Sequence, residues 1–250
     1  SWYRRQRQMC IRDRLKDNAQ VSIITIQSEE GLEIMRHTLT AQVLARAIKN
    51  LYPKSKLAIG PTIEDGFYYD VESEEVISSD DLIKIEDEMK NIIKTKSLLT
   101  KKLVSKSEAL KIFKEKKEPF KETIINESNQ KNDFQLYYQD NEEFVDLCRG
   151  PHLPNLGFIG SFKLTKVSGA YWKGDSKNTM LTRIYGTAFN SDKDLQKHLN
   201  EVEEALKRDH RKLGREMDLF HFQDEAPGMV FWHPKGCLLY TSDAADDTRS

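Results

Sequence analysis

The chain has 250 residues, with 39 Lys and Arg against 40 Asp and Glu, a net charge of −1, six histidines and three cysteines. Near-neutral charge excludes a global cationic field, so any contact with nucleic acid must use a local patch. No apolar run approaches the ~20 residues of a membrane span and no signal-peptide pattern is visible, while so few cysteines exclude a disulfide framework; all three point to the cytoplasm.

The two ends read as one foreign DNA segment translated on opposite strands. Residues 4–13 (RRQRQMCIRD) can be encoded by CGTCGGCAGCGTCAGATGTGTATAAGAGACA, and the reverse complement of that string gives CLLYTSDAAD, which is residues 237–246. The string resembles a transposon-type sequencing adapter, so residues 1–14 and 237–250 are set aside as non-native. The basic N-terminal arm and two of the three cysteines, Cys10 and Cys237, go with them. Roughly 220 residues remain, enough for one good-sized domain with pieces of neighbours.

In chain order, the β-branched run at residues 21–26 predicts a strand. Ser28 caps a helix whose Glu29 and Glu30 suit the positive end of the dipole, and Met35, Leu39, Val43, Ala47 and Leu51 recur every four residues until Pro53. Residues 58–71 predict a hairpin turning at Glu64-Asp65-Gly66. A helix from Ser79 buries Leu82, Ile85, Met89, Ile92 and Ile93, and another opens on a Ser105–Glu108 capping box and stops before Pro119. Strands follow at residues 120–125 and at Phe134, Leu136 and Tyr138, with a turn at Asp140-Asn141. Further strands at 160–167 and 180–189 flank a glycine-rich turn. A charged surface helix runs from Ser191 to about Met217, and the lysine runs at 94–102 and 111–117 read as solubilising. Helices are not interleaved regularly with strands, so the fold class is α+β with antiparallel strands.

The stretch Phe144-Val-Asp-Leu-Cys-Arg-Gly-Pro-His152 places an acid, a thiol, a guanidinium and an imidazole around a forced turn. Gly150 and Pro151 stop regular structure, so Cys148 and His152 converge through a loop that reads as an active site. A lone intracellular cysteine is more often buried filler, and only this context sets Cys148 apart. His198 and His210 sit on the charged helix and read as solvated, and His221 and His233 carry no role. Arg149 either clamps a phosphate or braces its own loop. Tyr171-Trp172 either stacks on a nucleobase or packs in the core.

Six blocks now carry a resemblance: Arg36-His37, residues 47–53, 58–71, 145–152, 169–175 and 183–188. Together, in this order, they resemble bacterial threonyl-tRNA synthetase. By position, residues 15–27 are similar to the tail of its N-terminal ubiquitin-like domain, 28–190 to its editing domain, 191–217 to the linker helix and 208–236 to the opening of the class II catalytic domain. The resemblance implies an antiparallel-sheet editing domain that hydrolyses mischarged seryl-tRNA(Thr), acting on the acceptor end of that tRNA. One methyl separates threonine from serine and is worth about 1–3 kcal/mol, or about 10–200-fold, so a single pocket cannot reject serine well enough. The parent protein would attach threonine to tRNA with ATP, and ATP, magnesium and zinc belong only to the missing part of the catalytic domain. The fragment itself is expected to need no cofactor and to be a monomer, although the parent would be a homodimer.

The family's editing pocket has a His-x-x-x-His pair and a Cys-x-x-x-His pair. Cys148 and His152 match the second and His37 opens the first, with Lys121 near the ester, Asp146 near the substrate amine and Tyr69 in the pocket. Four residues after His37 stands Ala41. Gln42, at i+5, lies about 140° further round a regular helix. Aligning back from Ala47-Ile48-Lys49 suggests one inserted residue, at Leu39, with Gln42 in place of the second histidine. Catalysis is therefore expected from His37, His152, Cys148 and Lys121, and substrate binding from Asp146, Tyr69, Arg149 and Gln42, with no metal. Two alternatives stand beside this: a tRNA-binding module whose editing has lapsed, and a zinc hydrolase of the alanyl editing type holding its ion on His37, Cys148 and His152.

Overall fold

The computed structural model describes residues 24–139 and 144–247. They divide into two compact units, one through Leu195 and one from Gln196. The fold is α+β, and every strand pairing is antiparallel.

The Ser28 side chain accepts the Gly31 N–H at 3.1 Å and starts helix α1, Glu29–Thr38. The helix does not end there. Residues Leu39–Leu44 form a π-helical turn, marked by the Ala45 N–H donating to the Thr40 carbonyl, and α2 follows over Ala45–Leu51. The turn explains the four-residue apolar recurrence. In a regular helix that spacing drifts by about 40° per step, whereas one wider turn brings the stripe back into phase. Met35, Leu39, Val43 and Ala47 are all fully buried, and only Leu51, at 39 % exposure, escapes the stripe.

The main sheet pairs β1 (Lys56–Leu57), β3 (Gly66–Glu72), β8 (Met180–Phe189) and β7 (Ser161–Tyr171) in that order, with β2 (Thr62–Ile63) also on β3. Ile63 opposes Gly66, so the predicted hairpin forms with Glu64-Asp65 as its two-residue turn. Phe67, Tyr69 and Val71 point from β3 into the core shared with α1, α2 and α3 (Leu82–Lys94), whose Leu82, Ile85, Met89 and Ile92 are buried. Each such side chain contributes about 1.5–3 kcal/mol of burial.

A second sheet, β4 (Leu99–Val104), β5 (Phe134–Gln139) and β6 (Phe144–Leu147), carries α4 (Lys106–Glu115) and α5 (Pro119–Glu127) on one face, where Ala109, Phe113, Ile125, Phe134, Leu136 and Val145 pack together. Two expectations are corrected here. The lysine run at 94–102 overlaps β4, in which Lys101 is buried while Thr100 stays exposed. Residues 120–125 are helical: Pro119 occupies the first turn, where a missing N–H costs nothing, and Phe120, Lys121 and Ile125 are buried.

The strand predicted at 21–26 lies partly outside the described residues, and residues 24–26 are not strand. The Asp140-Asn141 turn lies wholly outside them. Strand β7 continues to Tyr171, and Trp172 is buried against Phe120 with ring centroids 4.9 Å apart, so it is core and not a stacking platform. The charged helix, α6 (Asp192–Lys207), ends ten residues earlier than predicted, because Asp209 accepts the Arg211 N–H and caps a separate helix, α7 (His210–Glu216). The second unit also holds a short ribbon, β9 (Phe220–His221) with β10 (Phe231–Trp232), and α8 (Pro234–Asp247). Among the described residues no helix is long and apolar enough to cross a membrane.

Candidate active site

Side chains from α1, β3, α5, β6 and the loop after β6 meet at a cleft of about 850 Å³ in the first unit. That volume suits a small polar ligand or the end of a larger one. The stretch expected to be a loop is half strand: Phe144–Leu147 pairs with β5, and the Cys148 N–H donates to the Gln135 carbonyl at 3.2 Å. Strand alternation therefore assigns the side chains. Val145 joins the apolar core under α4 and α5, while Asp146 turns to the other face with Tyr137, its partner in register. Beyond Cys148, Gly150 takes a left-handed φ of 65°, and a Cβ there would strike the Tyr137 hydroxyl.

His37 Nε2 lies 2.8 Å from Cys148 Sγ. The His152 ring stacks on that of His37 at 4.7 Å with 4° between planes, and Tyr137 meets His152 edge-on at 4.4 Å. His37 faces the cleft; His152 is fully buried beneath it. Burial, with the Lys121 charge adding to it, lowers the His37 pKa to about 4. Burial raises the Cys148 thiol to about 12, with Asp146 assisting, and pushes His152 well below the usual imidazole range. At neutral pH both imidazoles are uncharged and the thiol keeps its proton. The contact is thus a hydrogen bond between two neutral groups, its direction set by the His37 tautomer, and not a thiolate–imidazolium nucleophile.

Lys121 and Asp146 form an ion pair at 2.6 Å with both side chains under 5 % exposed. Asp146 also accepts the Leu147 N–H at 2.8 Å, and burial raises its carboxyl pKa against the opposing pull of Lys121. The Tyr69 hydroxyl is fully buried, lines the cleft and has no hydrogen-bond partner in the structure. Gly60 lets it sit there, since a Cβ at that position would collide with the Tyr69 ring.

Three of the residues singled out from sequence, His37, Cys148 and His152, form one cluster, with Lys121, Asp146 and Tyr69 lining the same cleft. Arg149 lies exposed at the rim. Gln42 is corrected: it is fully buried away from the cleft, its amide oxygen accepting from Gln139 Nε2 at 3.0 Å. Residue spacing is the reason: Ala41, four residues on from His37, stands one turn further along the cleft wall, and Gln42, five residues on, faces elsewhere.

Residues 135–185 match the family described as the threonyl and alanyl tRNA synthetase second additional domain. The chain is 51 % identical over 223 residues to a threonine–tRNA ligase of Prochlorococcus marinus strain MIT 9211, covering 89 % of this chain and 34 % of that protein. It is 50 % identical over 228 residues to a threonine–tRNA ligase of Saccharophagus degradans, covering 91 % and 35 %. The chain belongs with the threonyl-tRNA synthetases. It spans about a third of the length of these relatives.

Within a threonyl-tRNA synthetase editing-type domain, the metal question is decided by the donors. One ligand atom each from His37, Cys148 and His152 lie within 4.8 Å of one another, and the imidazoles are already neutral as a cation would require. A closed site needs a fourth ligand. Ala41 offers none and Gln42 is committed to Gln139, so these residues fit only an open three-donor arrangement. Sequence reasoning missed Thr38, Tyr137 and Gln135. Their signal was strand and helix phase: Gln135 and Tyr137 alternate with the core residues Phe134 and Leu136, and Thr38 adjoins His37.

Proposed function

We propose that residues 28–190 hydrolyse the ester of seryl-tRNA(Thr), releasing serine and the tRNA terminal hydroxyl. The observation that carries this reading is the pair of neutral, stacked imidazoles with the Cys148 thiol, set beside the buried Lys121–Asp146 ion pair on one cleft wall. In the proposed reaction the substrate ammonium binds Asp146, and Lys121 turns toward the ester or the ribose hydroxyl. With its own proton on Nδ1, His37 uses the Nε2 lone pair, once the Cys148 thiol has turned aside, to take the proton of the attacking water, and returns it to the ribose oxygen as the carbonyl carbon–ribose oxygen bond breaks. Lys121 stabilises charge on the carbonyl oxygen as water adds. Tyr69 supplies a hydroxyl to the bound amino acid. Cys148 keeps its proton and fills the space that a threonine methyl would need, so it lines the pocket and forms no covalent intermediate.

This reading makes residues 191–217 a linker and 208–236 the beginning of a catalytic domain. The longer protein would charge tRNA with threonine using ATP, with magnesium and zinc there only; this chain would not. The editing reaction would use no metal, Arg149 would meet the acceptor end at the rim, and the chain would be monomeric.

A second reading is favoured by one observation: Gln42, in place of the family's second helix imidazole, is withdrawn from the cleft. A module whose editing has lapsed would bind tRNA without hydrolysis. The test is deacylation of seryl- and threonyl-tRNA(Thr) by the whole chain, with and without chelator. Loss of serine alone, unchanged by chelator, is the expected result. Binding without hydrolysis supports the lapsed module, and chelator-sensitive hydrolysis supports a metal-dependent site.

A further inference from the structure

We propose that Thr38 is a positioning residue that fixes the tautomer of His152, placing the ring proton on Nδ1 and the lone pair on Nε2. The inference follows from counting protons at one oxygen. Thr38 Oγ1 lies 2.8 Å from the Ile34 carbonyl, 2.9 Å from the Leu153 N–H and 3.2 Å from His152 Nδ1. A hydroxyl has one proton to give and two lone pairs with which to accept. The Ile34 carbonyl can only accept, so the Thr38 proton goes to it, and the Leu153 amide can only donate, so it takes one lone pair. One lone pair remains, and His152 Nδ1 must bring a proton to it.

The arrangement is enclosed. Thr38 and His152 are both fully buried, so no solvent exchanges the roles, and the 34–38 bond is the local back-bond a helical threonine makes. Burial holds the ring neutral, so a single proton sits on it. With that proton on Nδ1, the inner wall of the site presents an acceptor at Nε2, beneath the stacked ring of His37. The opposite tautomer would aim a donor into the cluster. Anchoring Leu153 and His152 to α1 through one oxygen also ties the loop after β6 to the helix that carries His37.

The functional consequence rests on the hydrolytic reading above, but the tautomer does not. The test is nitrogen NMR of the whole chain with 15N-labelled histidine, assigned with His152→Asn, in wild type, Thr38→Ser and Thr38→Val. Wild type and Thr38→Ser should both show a protonated Nδ1 and a bare Nε2 at His152, and Thr38→Val should lose that single tautomer. Seryl-tRNA hydrolysis should fall about 10–100-fold in kcat with KM little changed in Thr38→Val, and recover in Thr38→Ser, as when the hydrogen bond orienting a functional histidine is removed. A protonated Nε2 in wild type, or an unchanged Nδ1–H in folded Thr38→Val, would overturn the proposal. If Thr38→Val does not fold, Thr38→Cys, a weaker acceptor of similar size, gives the same comparison. Absence of hydrolysis in every chain would count against the editing reading alone, and the spectra would still decide the tautomer.

Discussion

At the scale of single residues, charge state assigns the work. His37 is uncharged at neutral pH and within reach of the cleft, so His37→Ala should lower seryl-tRNA hydrolysis about 10²–10⁴-fold, the usual contribution of a general base. Cys148→Ala removes a thiol that carries its proton. It should keep serine hydrolysis within about tenfold while admitting threonyl-tRNA as a substrate, because one small side chain separates the two acids by only about 1–3 kcal/mol. Parallel deacylation rates on the two tRNAs check both variants, and loss of serine hydrolysis in Cys148→Ala would remove Cys148 from the role of a passive wall. The Lys121–Asp146 pair is a matter of stability as well. Lys121→Met leaves a buried carboxylate without its partner and should cost about 3–5 kcal/mol, most of it recovered in Lys121→Met/Asp146→Leu. Urea midpoints of the single and double variants measure it.

At the scale of elements, the one residue that the π-turn absorbs decides which side chain stands four positions after His37 and so follows it into the cleft. A π-turn is the form in which a helix absorbs one extra residue without losing the phase of either flank. Deleting Leu39 should therefore convert Leu39–Leu44 to regular helix, keep α2 in register with the sheet, and carry Gln42 round to the cleft wall now held by Ala41. In that background Gln42→His would supply a fourth donor to the cluster of His37, Cys148 and His152. A tight cobalt(II) complex with a tetrahedral absorption band should then appear that the unaltered chain lacks. Its absence in a folded deletion variant would show that the extra residue is not what withdraws Gln42. Much of this was legible in the sequence: the Ser28 cap, the Ser105–Glu108 box and the Glu64-Asp65 turn are local chemistry, and the missing i+4 donor and the one-residue excess follow from the family resemblance. What was not legible depends on distant partners. Residues 120–125 are β-branched enough for a strand and become a helix because Phe120 and Ile125 each find a separate core. The Lys101 strand is hidden in a cationic run because β5 pairs with it. Likewise Thr38 and Tyr137 gain their roles only when β5 and the loop after β6 close on α1.

At the scale of the whole molecule, the three apolar clusters among the described residues lie before residue 196, in the first unit. The stability of that unit also carries the protonation of its candidate site. His37 and His152 have folded-state pKa values below the 6.5 of an exposed imidazole, about 4 for His37, so between those values the unfolded chain binds more protons than the folded one. Their contribution is complete above about pH 6.5 and is lost as the pH falls toward 4, with a limiting slope of about 1.4 kcal/mol per pH unit for each ring. Asp146 and Glu118 act in the other direction, since burial raises both carboxyls and the folded state takes up their protons first. The absolute curve therefore mixes both signs, and the histidine part is isolated by difference. His37→Asn removes one titrating ring while keeping a polar side chain. Its urea midpoint should fall less steeply than that of the unaltered chain between pH 6.5 and 4.5, the two curves converging toward low pH and separating toward neutrality. Parallel curves would mean that His37 titrates alike in the folded and unfolded chain. The neutral imidazole on which the hydrolytic assignment depends would then be lost below about pH 6.5.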